Sequence, residues 1–201
     1  IDVTEVQSLT ANDGVCSPGI QLYGAGFILE PDEARELSLR EGHPPCPLLR
    51  PYLNGKDVTS VAREVSVIDT FGWELDALRI QHPAVFQHLV ERVKPERDQN
   101  RRAPIRERWW RHGWERPGLR AALSSLERFV ATPETSKHRV FVLLPKSTLP
   151  DNMLTAIAVA DAFMLGCLSS RIHVCWSLSA GGRLGVGNDP RYTKSACFDP
   201  F

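Results

Sequence analysis

The sequence predicts a mixed α+β fold in a single domain of 201 residues. Alternating apolar and polar residues, as in 63–73 and 138–145, are typical of half-buried strands. Apolar residues spaced three or four positions apart between 74 and 93 are typical of amphipathic helices. The two kinds of segment do not alternate regularly, which argues against a doubly wound parallel sheet.

The first half of the chain predicts strands and short helices after a polar, extended lead-in at residues 1–19. A proline- and glycine-rich stretch at 42–58 predicts ordered turns. The remaining predicted elements are a strand at 20–29, a helix at 32–40, a strand at 63–73, and two helical segments within 74–93 that meet at Pro83.

The second half predicts further helices and strands and ends in a polar loop. Ile172, Val174, Trp176 and Leu178 alternate with polar residues, which favours a half-buried strand at 170–179. The other predicted elements are helical residues within 101–110, a short helix turning into a strand at 118–130, a strand at 138–145, a helix at 152–166 and a glycine-rich loop at 181–195.

The net charge of zero conceals a strong asymmetry between the two halves of the chain. Residues 1–91 contain six Lys/Arg and fourteen Asp/Glu, a balance of −8, and residues 92–201 contain eighteen and ten, a balance of +8. We therefore divide the domain into a lead-in (1–19), an acidic half (20–91) and a basic half (92–201). A polyanion would be attracted to the basic half only. Alternatively, the two halves attract each other across an internal interface.

The basic charge is concentrated between Arg92 and Arg120, where ten Lys/Arg accompany four acidic residues. Trp109, Trp110 and Trp114 lie within this stretch, and arginine beside aromatic rings suits phosphates and nucleobases, although core packing is the common role of tryptophan. Lys137, His138 and Arg139 form a second basic cluster. The candidate DNA phosphate contacts are Lys94, Arg97, Arg101, Arg102, Arg106, Arg108, Lys137, His138, Arg171 and Lys194.

The glycine-rich loop near the C-terminus carries side chains that are suited to reading base edges. Arginine recognises guanine, asparagine recognises adenine, and a carboxylate accepts a hydrogen bond from cytosine. The candidate base contacts in this loop are Arg183, Asn188, Asp189 and Arg191.

Signatures of catalysis are missing from the sequence. The one Pro-Pro pair, at 44–45, lacks the Asn or Asp and the aromatic residue of an amino-methyltransferase loop, and the glycines near the C-terminus lack the lysine of a P-loop. Cys167, His173 and Cys175 lie close in sequence, but their spacing does not provide four metal ligands. We therefore assign neither catalytic residues nor a metal site to the chain, and we expect it to bind no cofactor itself.

The cysteines and the apolar segments indicate where in the cell the protein is located. Five scattered cysteines are unlike a disulfide framework, which favours reduced thiols and a cytoplasmic location. The apolar run at 154–168 is too short to span a bilayer, so no membrane partner is expected. The first residues lack the pattern of a secretory signal, and the chain is expected to be a fragment of a longer polypeptide.

The order of several motifs resembles the target recognition domain of the MmeI-like (type IIL) restriction-modification enzymes. From about residue 20 to the end, these motifs are GIQLYGAGFIL, RPYLNGKDV, VIDTFGW, RERWW, ERPGLRAAL, RFVATPETSKHRVF, LGCLSSRIHVCW and RYTKSACFDPF. In that family, variable side chains of the recognition domain set the DNA specificity, and some of them lie just ahead of an Arg-Tyr-Ser/Thr motif. The corresponding motif is Arg191-Tyr192-Thr193, which also favours Asn188, Asp189 and Arg191 as base contacts.

The resemblance implies a bacterial enzyme that joins a nuclease, an N6-adenine DNA methyltransferase and this domain in one polypeptide. Duplex DNA and the two catalytic domains would be its partners, and S-adenosylmethionine would be the cofactor of the parent enzyme. The alternative from another class is a non-catalytic protein-interaction module whose basic half docks on an acidic domain. A self-contained enzyme is a third alternative, which the absence of catalytic motifs disfavours.

Overall fold

The computed structural model describes Val3, residues 6–184 and residues 188–201. The chain divides into two units. Unit 1 comprises Ile1–Gly19, Leu53–Ala62 and Arg116–Phe201, and unit 2 comprises Ile20–Tyr52 and Arg63–Glu115.

Helices and short strands are mixed along the described residues. The α-helices are α1 (Pro31–Glu41), α2 (Gly55–Thr59), α3 (Leu75–Gln81), α4 (Pro83–Arg92), α5 (Lys94–Asp98), α6 (Ala103–Glu107), α7 (Pro117–Leu123), α8 (Ala162–Ser169) and α9 (Arg171–Ala180). The strands are β1 (Cys16–Pro18), β2 (Ile28–Leu29), β3 (Leu49–Leu53), β4 (Ser66–Ile68), β5 (Arg128–Pro133), β6 (Val142–Pro145), β7 (Leu149–Pro150), β8 (Leu154–Ile157), β9 (Arg183–Leu184) and β10 (Asp189–Pro190). The predicted mixed α+β class is confirmed.

Unit 1 is built around an antiparallel sheet with the strand order β1-β8-β5-β6. Strand β5 is central and is buried on both faces. Its Val130 packs into a cluster with Leu168 and Tyr192, whereas Phe129 and Ala131 pack into a second cluster that includes Leu119, Leu123, Leu144 and Ala156. Burial on both faces explains why this strand is apolar at successive positions rather than at alternate ones.

Unit 2 contains the antiparallel strands β2, β4 and β3, with Val67 of the middle strand opposite Ile28 and Arg50. Helix α1 begins with a capping box between Glu30 and Glu33. Proline opens α4, where the missing N–H removes no helical hydrogen bond. The predicted pair of helices on either side of Pro83 is confirmed.

Two predicted elements of unit 1 are wrong because short apolar runs do not distinguish strand from helix. Residues 152–166 were expected to be one helix, but Leu154–Ile157 form the fully buried strand β8, and the helix begins only after its cap, Asp161. Residues 170–179 were expected to be a strand but form α9. Its buried residues, His173 and Ser177, are four positions apart, and Ile172 is 75% exposed.

Other predicted elements are shorter than expected. In 20–29 only Ile28–Leu29 form a strand, because Tyr23 and Gly24 adopt φ angles of 54° and 152° that interrupt an extended chain. The expected strand at 63–73 is confined to Ser66–Ile68, and that at 138–145 to Val142–Pro145. The helix within 101–110 is confined to Ala103–Glu107.

Two predictions fall partly on residues outside the description. Within the predicted lead-in, residues 1, 2, 4 and 5 lie outside the described part of the chain. The same holds for residues 185–187 of the loop predicted at 181–195. The described residues on either side of 185–187 form strands β9 and β10.

Replacing Gly26 by alanine is expected to destabilise unit 2 by about 1–3 kcal/mol, because an added Cβ would lie 2.3 Å from the carbonyl oxygen of Arg92. Gly118→Ala in α7 is the control, since a Cβ there meets no atom within 4 Å. Urea denaturation followed by circular dichroism measures both variants. Equal midpoints for Gly26→Ala and wild type would contradict the prediction.

Candidate nucleic-acid interface

Three of the four candidate base contacts lie on one hairpin of unit 1, and the fourth, Arg191, follows it directly. Strands β9 and β10 pair antiparallel, with Asp189 opposite Leu184. Asn188 precedes β10 with a left-handed φ of 51°, and its carbonyl oxygen accepts a hydrogen bond of 3.2 Å from Nη1 of Arg183. The hairpin therefore groups donors and acceptors that can match base edges.

Arg191 is held in place by its backbone and by one ion pair. Its N–H donates to the carbonyl oxygen of Gly182 at 2.8 Å, and its backbone is bridged to Thr135. Nε donates to Oε1 of Glu134 at 2.5 Å, with the two side chains 43% and 14% exposed. Within the described part of the chain, the Nη groups of Arg191 have no partner. Glu134 thus orients the guanidinium while leaving its outer edge accessible.

A buried polar cluster anchors the end of the hairpin. Tyr192 is fully buried, and its hydroxyl lies 2.9 Å from Nε2 of His173. The guanidinium of Arg139 lies over the Tyr192 ring, with 5.1 Å between Cζ and the ring centroid. Arg139 also donates to the carbonyl oxygen of Pro190 at 3.1 Å and to Oγ1 of Thr132 at 3.0 Å. This arginine therefore ties the hairpin to strand β5.

Burial controls protonation in this cluster. It raises the pKa of the Tyr192 phenol, so the hydroxyl keeps its proton. Burial, and then the Arg139 guanidinium, lower the pKa of His173 from 6.5 to about 4. Burial also lowers the pKa of Arg139. His173 is therefore neutral at pH 7 and serves as a structural partner of Tyr192.

A groove of about 920 Å³ in unit 1 brings together basic side chains from distant parts of the sequence. Lys56 of α2 lines the groove together with Lys137 and His138, which come from the segment between β5 and β6. All three residues are exposed, and none forms an ion pair with another described residue. One acidic residue, Asp151, also lines the groove. The groove therefore presents two lysines and a histidine that form no ion pair with a described residue.

The wall of this groove is bonded to the hairpin. Thr135 is bridged to Arg191, and the N–H of Ser136 donates to the carbonyl oxygen of Pro190 at 3.3 Å. The next two residues are Lys137 and His138. Candidate base contacts and candidate phosphate contacts are therefore held together by one short backbone segment.

Arg97 is not available as a phosphate contact, because its side chain lies in the interior of unit 2 and is 1% exposed. Its Nη2 donates to the carbonyl oxygens of Leu22 at 2.6 Å and Arg111 at 2.9 Å. Its guanidinium also lies 5.3 Å from the centroid of the Phe27 ring. Contrary to the sequence-based expectation, this arginine joins separate segments of unit 2.

Of the other phosphate candidates of unit 2, the four arginines are exposed and Lys94 is half-buried, and they differ in their bonding. Lys94 forms an ion pair of 2.6 Å with Asp98, and Arg106 donates to the carbonyl oxygen of Asn100 at 2.7 Å. Among the described residues, the side chains of Arg101 and Arg108 have no partner, whereas Arg102 donates to the hydroxyl of Tyr23 at 3.1 Å.

The three tryptophans of the basic stretch play different structural roles. Trp109 and Trp110 are 8% and 9% exposed, pack edge-to-face against each other, and belong to the core of unit 2. Trp114 is 50% exposed. The core-packing alternative therefore applies to the first two and not to Trp114.

The remaining phosphate candidates lie in unit 1. Arg171 opens α9, is exposed, and has no partner among the described residues. Lys194 forms an ion pair of 2.6 Å with Asp199, whose carboxylate raises the pKa of the lysine. Because Lys194 is already paired with Asp199, Arg171 is the more accessible of these two phosphate candidates.

No group of three or more His, Cys, Asp or Glu side chains is arranged to hold a metal ion in the described part of the chain. His173 is bonded to Tyr192, while Cys175 is exposed on another face of α9. None of the helices within the described ranges is long and apolar enough to cross a membrane.

Residues 19–201 match the family described as the MmeI target recognition domain. The chain belongs to that family. Its fold is also similar to that of the type IIL restriction-modification enzyme MmeI, solved in complex with DNA, with a TM-score of 0.73 and 18% sequence identity. This similarity covers 98% of the present chain and 25% of the MmeI chain, so the recognition domain spans about a quarter of that enzyme. Among curated proteins, no match was found.

The sequence alone does not reveal the positions of two residues of the recognition domain. Lys56 belongs to the acidic half, and its place in the same groove as Lys137 becomes evident only in the fold. Arg139 belongs to a basic cluster in the sequence, but its contact with the Tyr192 ring makes it an anchor of the hairpin. The sequence signal for such an anchor was the Arg-Tyr-Thr motif, because the hydroxyl of a buried tyrosine needs a polar partner.

The stability of the recognition domain is expected to fall as the pH is lowered from about 6.5 to about 4, because unfolded His173 binds a proton in this range and folded His173 does not. Urea denaturation at several pH values measures the effect. His173→Gln should flatten this dependence, whereas the control His43→Gln, at an exposed residue, should retain it. An identical pH dependence for wild type and His173→Gln would show that His173 does not cause the loss of stability at low pH.

Proposed function

We propose that this domain recognises a specific sequence in duplex DNA and directs adenine-N6 methylation, and also cleavage, by catalytic domains elsewhere in the same polypeptide. The family and the fold support DNA recognition. The observation that carries the proposal is the bonded segment 134–138, which connects the hairpin with the candidate base contacts to the two lysines and the histidine of the groove.

The arrangement matches the division of labour in DNA-binding proteins, where phosphate contacts position the protein and base contacts specify the sequence. Lys56, Lys137 and His138 would bind phosphates along the groove. The hairpin, fixed to the same segment, would then enter a DNA groove in a defined register. Arg101, Arg108 and Arg171 are further exposed cations suited to phosphate binding.

Arg191 is the strongest candidate for direct readout. Its free Nη groups can donate to N7 and O6 of guanine, the commonest specific contact in the major groove. Glu134 holds Nε and restricts rotation of the side chain. This preorganisation reduces the entropy lost when the guanidinium binds a base.

The chemistry would belong to the rest of the polypeptide. A methyltransferase domain would bind S-adenosylmethionine and a nuclease domain would cut the DNA, in the bacterial cytoplasm. The present chain would contribute recognition of the DNA sequence rather than catalysis. This division is consistent with the lack of catalytic motifs in the sequence.

Selection from a randomised duplex library at moderate salt tests the proposal, with the retained DNA then sequenced. Enrichment of one short motif supports it. Retention without enrichment contradicts sequence recognition by this domain, and a lack of retention at low salt favours the alternative of a protein-interaction module that docks on an acidic domain.

Arg191→Ala is expected to relax the preference at one base pair of the enriched motif by about 1–3 kcal/mol, because a bidentate contact to one base is lost. Competition binding with duplexes that differ at single positions measures this change. Arg35→Ala is the control, since Arg35 is exposed and lies in α1 of unit 2. Equal weakening on every duplex would refute a base contact by Arg191.

Lys137→Ala is expected to weaken binding uniformly across sequences and to reduce the slope of log affinity against log salt by about one, because one phosphate contact is lost. Lys56→Ala should behave in the same way if the whole groove binds DNA. Lys146→Ala is the matched control, because Nζ of Lys146 is bonded to the carbonyl oxygen of Ser124. An unchanged salt slope for Lys137→Ala would remove this residue from the phosphate contacts.

A further inference from the structure

We propose that Trp114, Tyr23 and Arg102 of unit 2 form a stacking site for an unpaired nucleobase of DNA. This inference rests on the proposed function, because it assumes that the domain binds DNA. It assigns a second contact surface, separate from the hairpin and the groove of unit 1. Its residues come from two segments of unit 2 that are far apart in sequence.

Trp114 presents a large aromatic surface on a fixed backbone. Its indole is 50% exposed, although tryptophan is usually well buried. Its N–H donates to the carbonyl oxygen of Gln21 at 3.0 Å, and its carbonyl oxygen accepts from the N–H of Gln21 at 3.2 Å. This reciprocal bridge fixes the position of the main chain, so the exposure of the ring is a property of a structured segment.

Tyr23 is held beside Trp114 by geometry that few residues adopt. Its φ of 54° lies in the left-handed region, which is unfavourable for a bulky residue. The ring lies against Gly113, where an added Cβ would be 1.8 Å from Cδ2 of Tyr23. Nε1 of Trp114 donates to the Tyr23 hydroxyl at 3.3 Å. The neighbourhood therefore holds Tyr23 in a strained conformation that places its hydroxyl against the indole nitrogen of Trp114.

Arg102 adds positive charge to this aromatic pair. Its Nη1 donates to the Tyr23 hydroxyl at 3.1 Å, and its Cζ lies 5.5 Å from the ring centroid of Tyr23. Residues 101–108 contain four arginines and one glutamate, and all five are exposed. An anionic backbone would be attracted to this surface, whereas an uncharged apolar ligand would gain little from it.

An unpaired nucleobase matches both properties of the site. Its flat face stacks on indole and phenol rings without any requirement for a particular sequence, and its attached phosphates meet the arginines. In an intact duplex the faces of the bases are covered by their neighbours. Enzymes that act on a base remove it from the stack, which leaves its partner strand with an unpaired base. DNA bound by the proposed parent enzyme would therefore offer such a ligand.

Fluorescence anisotropy with three labelled probes tests the inference: a perfect duplex, the same duplex with one bulged adenine, and a single-stranded oligothymidine. Trp114→Ala should weaken binding of the bulged and single-stranded probes by about tenfold while changing perfect-duplex binding by less than about twofold. Trp114→Phe should retain most of the affinity. Ile80→Ala, at an exposed apolar residue of the same unit, is the matched control.

A second readout reports stacking itself. With 2-aminopurine as the bulged base, wild type should quench its fluorescence and Trp114→Ala should restore it. Circular dichroism establishes that each variant is folded. If Trp114→Ala unfolds, Arg102→Ala, which is expected to weaken the binding of all three probes, and the quenching of 2-aminopurine by wild type replace it. Equal affinity of wild type and Trp114→Ala for the bulged probe, with equal quenching, overturns the inference.

The outcomes separate this inference from the proposed function. If the duplex library yields a motif but Trp114→Ala has no effect on any probe, DNA recognition stands and the stacking site is refuted. If bulged DNA binds through Trp114 but no sequence is enriched, the stacking site stands and sequence recognition fails. If no probe binds at low salt, both are overturned.

Discussion

The hydrogen bond between the Tyr192 hydroxyl and His173 is the constraint on which the position of the candidate base contacts in unit 1 depends. It joins the end of the hairpin to α9 in a fully buried setting, where an unmade bond would leave polar atoms without water. Arg139 lies over the same ring and bonds to Pro190, so hairpin, helix and sheet meet at one point. Exposed side chains such as Arg191 can therefore have defined positions, because the positions of the buried side chains next to them are fixed.

Each unit uses one arginine to connect segments, half-buried in unit 1 and buried in unit 2, and this distinguishes structural charge from charge that is available for binding. Arg139 in unit 1 and Arg97 in unit 2 donate to backbone carbonyl oxygens and lie against an aromatic ring. Their guanidinium groups supply hydrogen bonds that apolar side chains could not make. The cations left for a polyanion are those outside these networks, such as Lys56, Lys137 and Arg101. The count of basic residues thus overstates the charge available for binding.

Much of the fold could be predicted where signals are local. The helices at Pro31–Glu41 and Pro83–Arg92 have acidic or proline starts and a clear apolar periodicity. The errors at 154–157 and 171–180 arose where burial by distant segments decided between strand and helix. At the candidate site, the hairpin residues could be grouped as base contacts from the sequence because they lie close together along the chain. The presence of Lys56 and Lys137 in one groove, and the burial of Arg97, depend on tertiary contacts that no local pattern encodes.

The ion pair between Arg191 and Glu134 has a consequence for how such a domain changes its specificity. Under the proposed function, a replacement of Arg191 alone would leave a carboxylate of low exposure beside the base contact without its cation. A new residue that accepts hydrogen bonds would also face repulsion from that carboxylate. A change of specificity at this position would then proceed most readily through substitution of both residues, which lie 57 positions apart in the sequence.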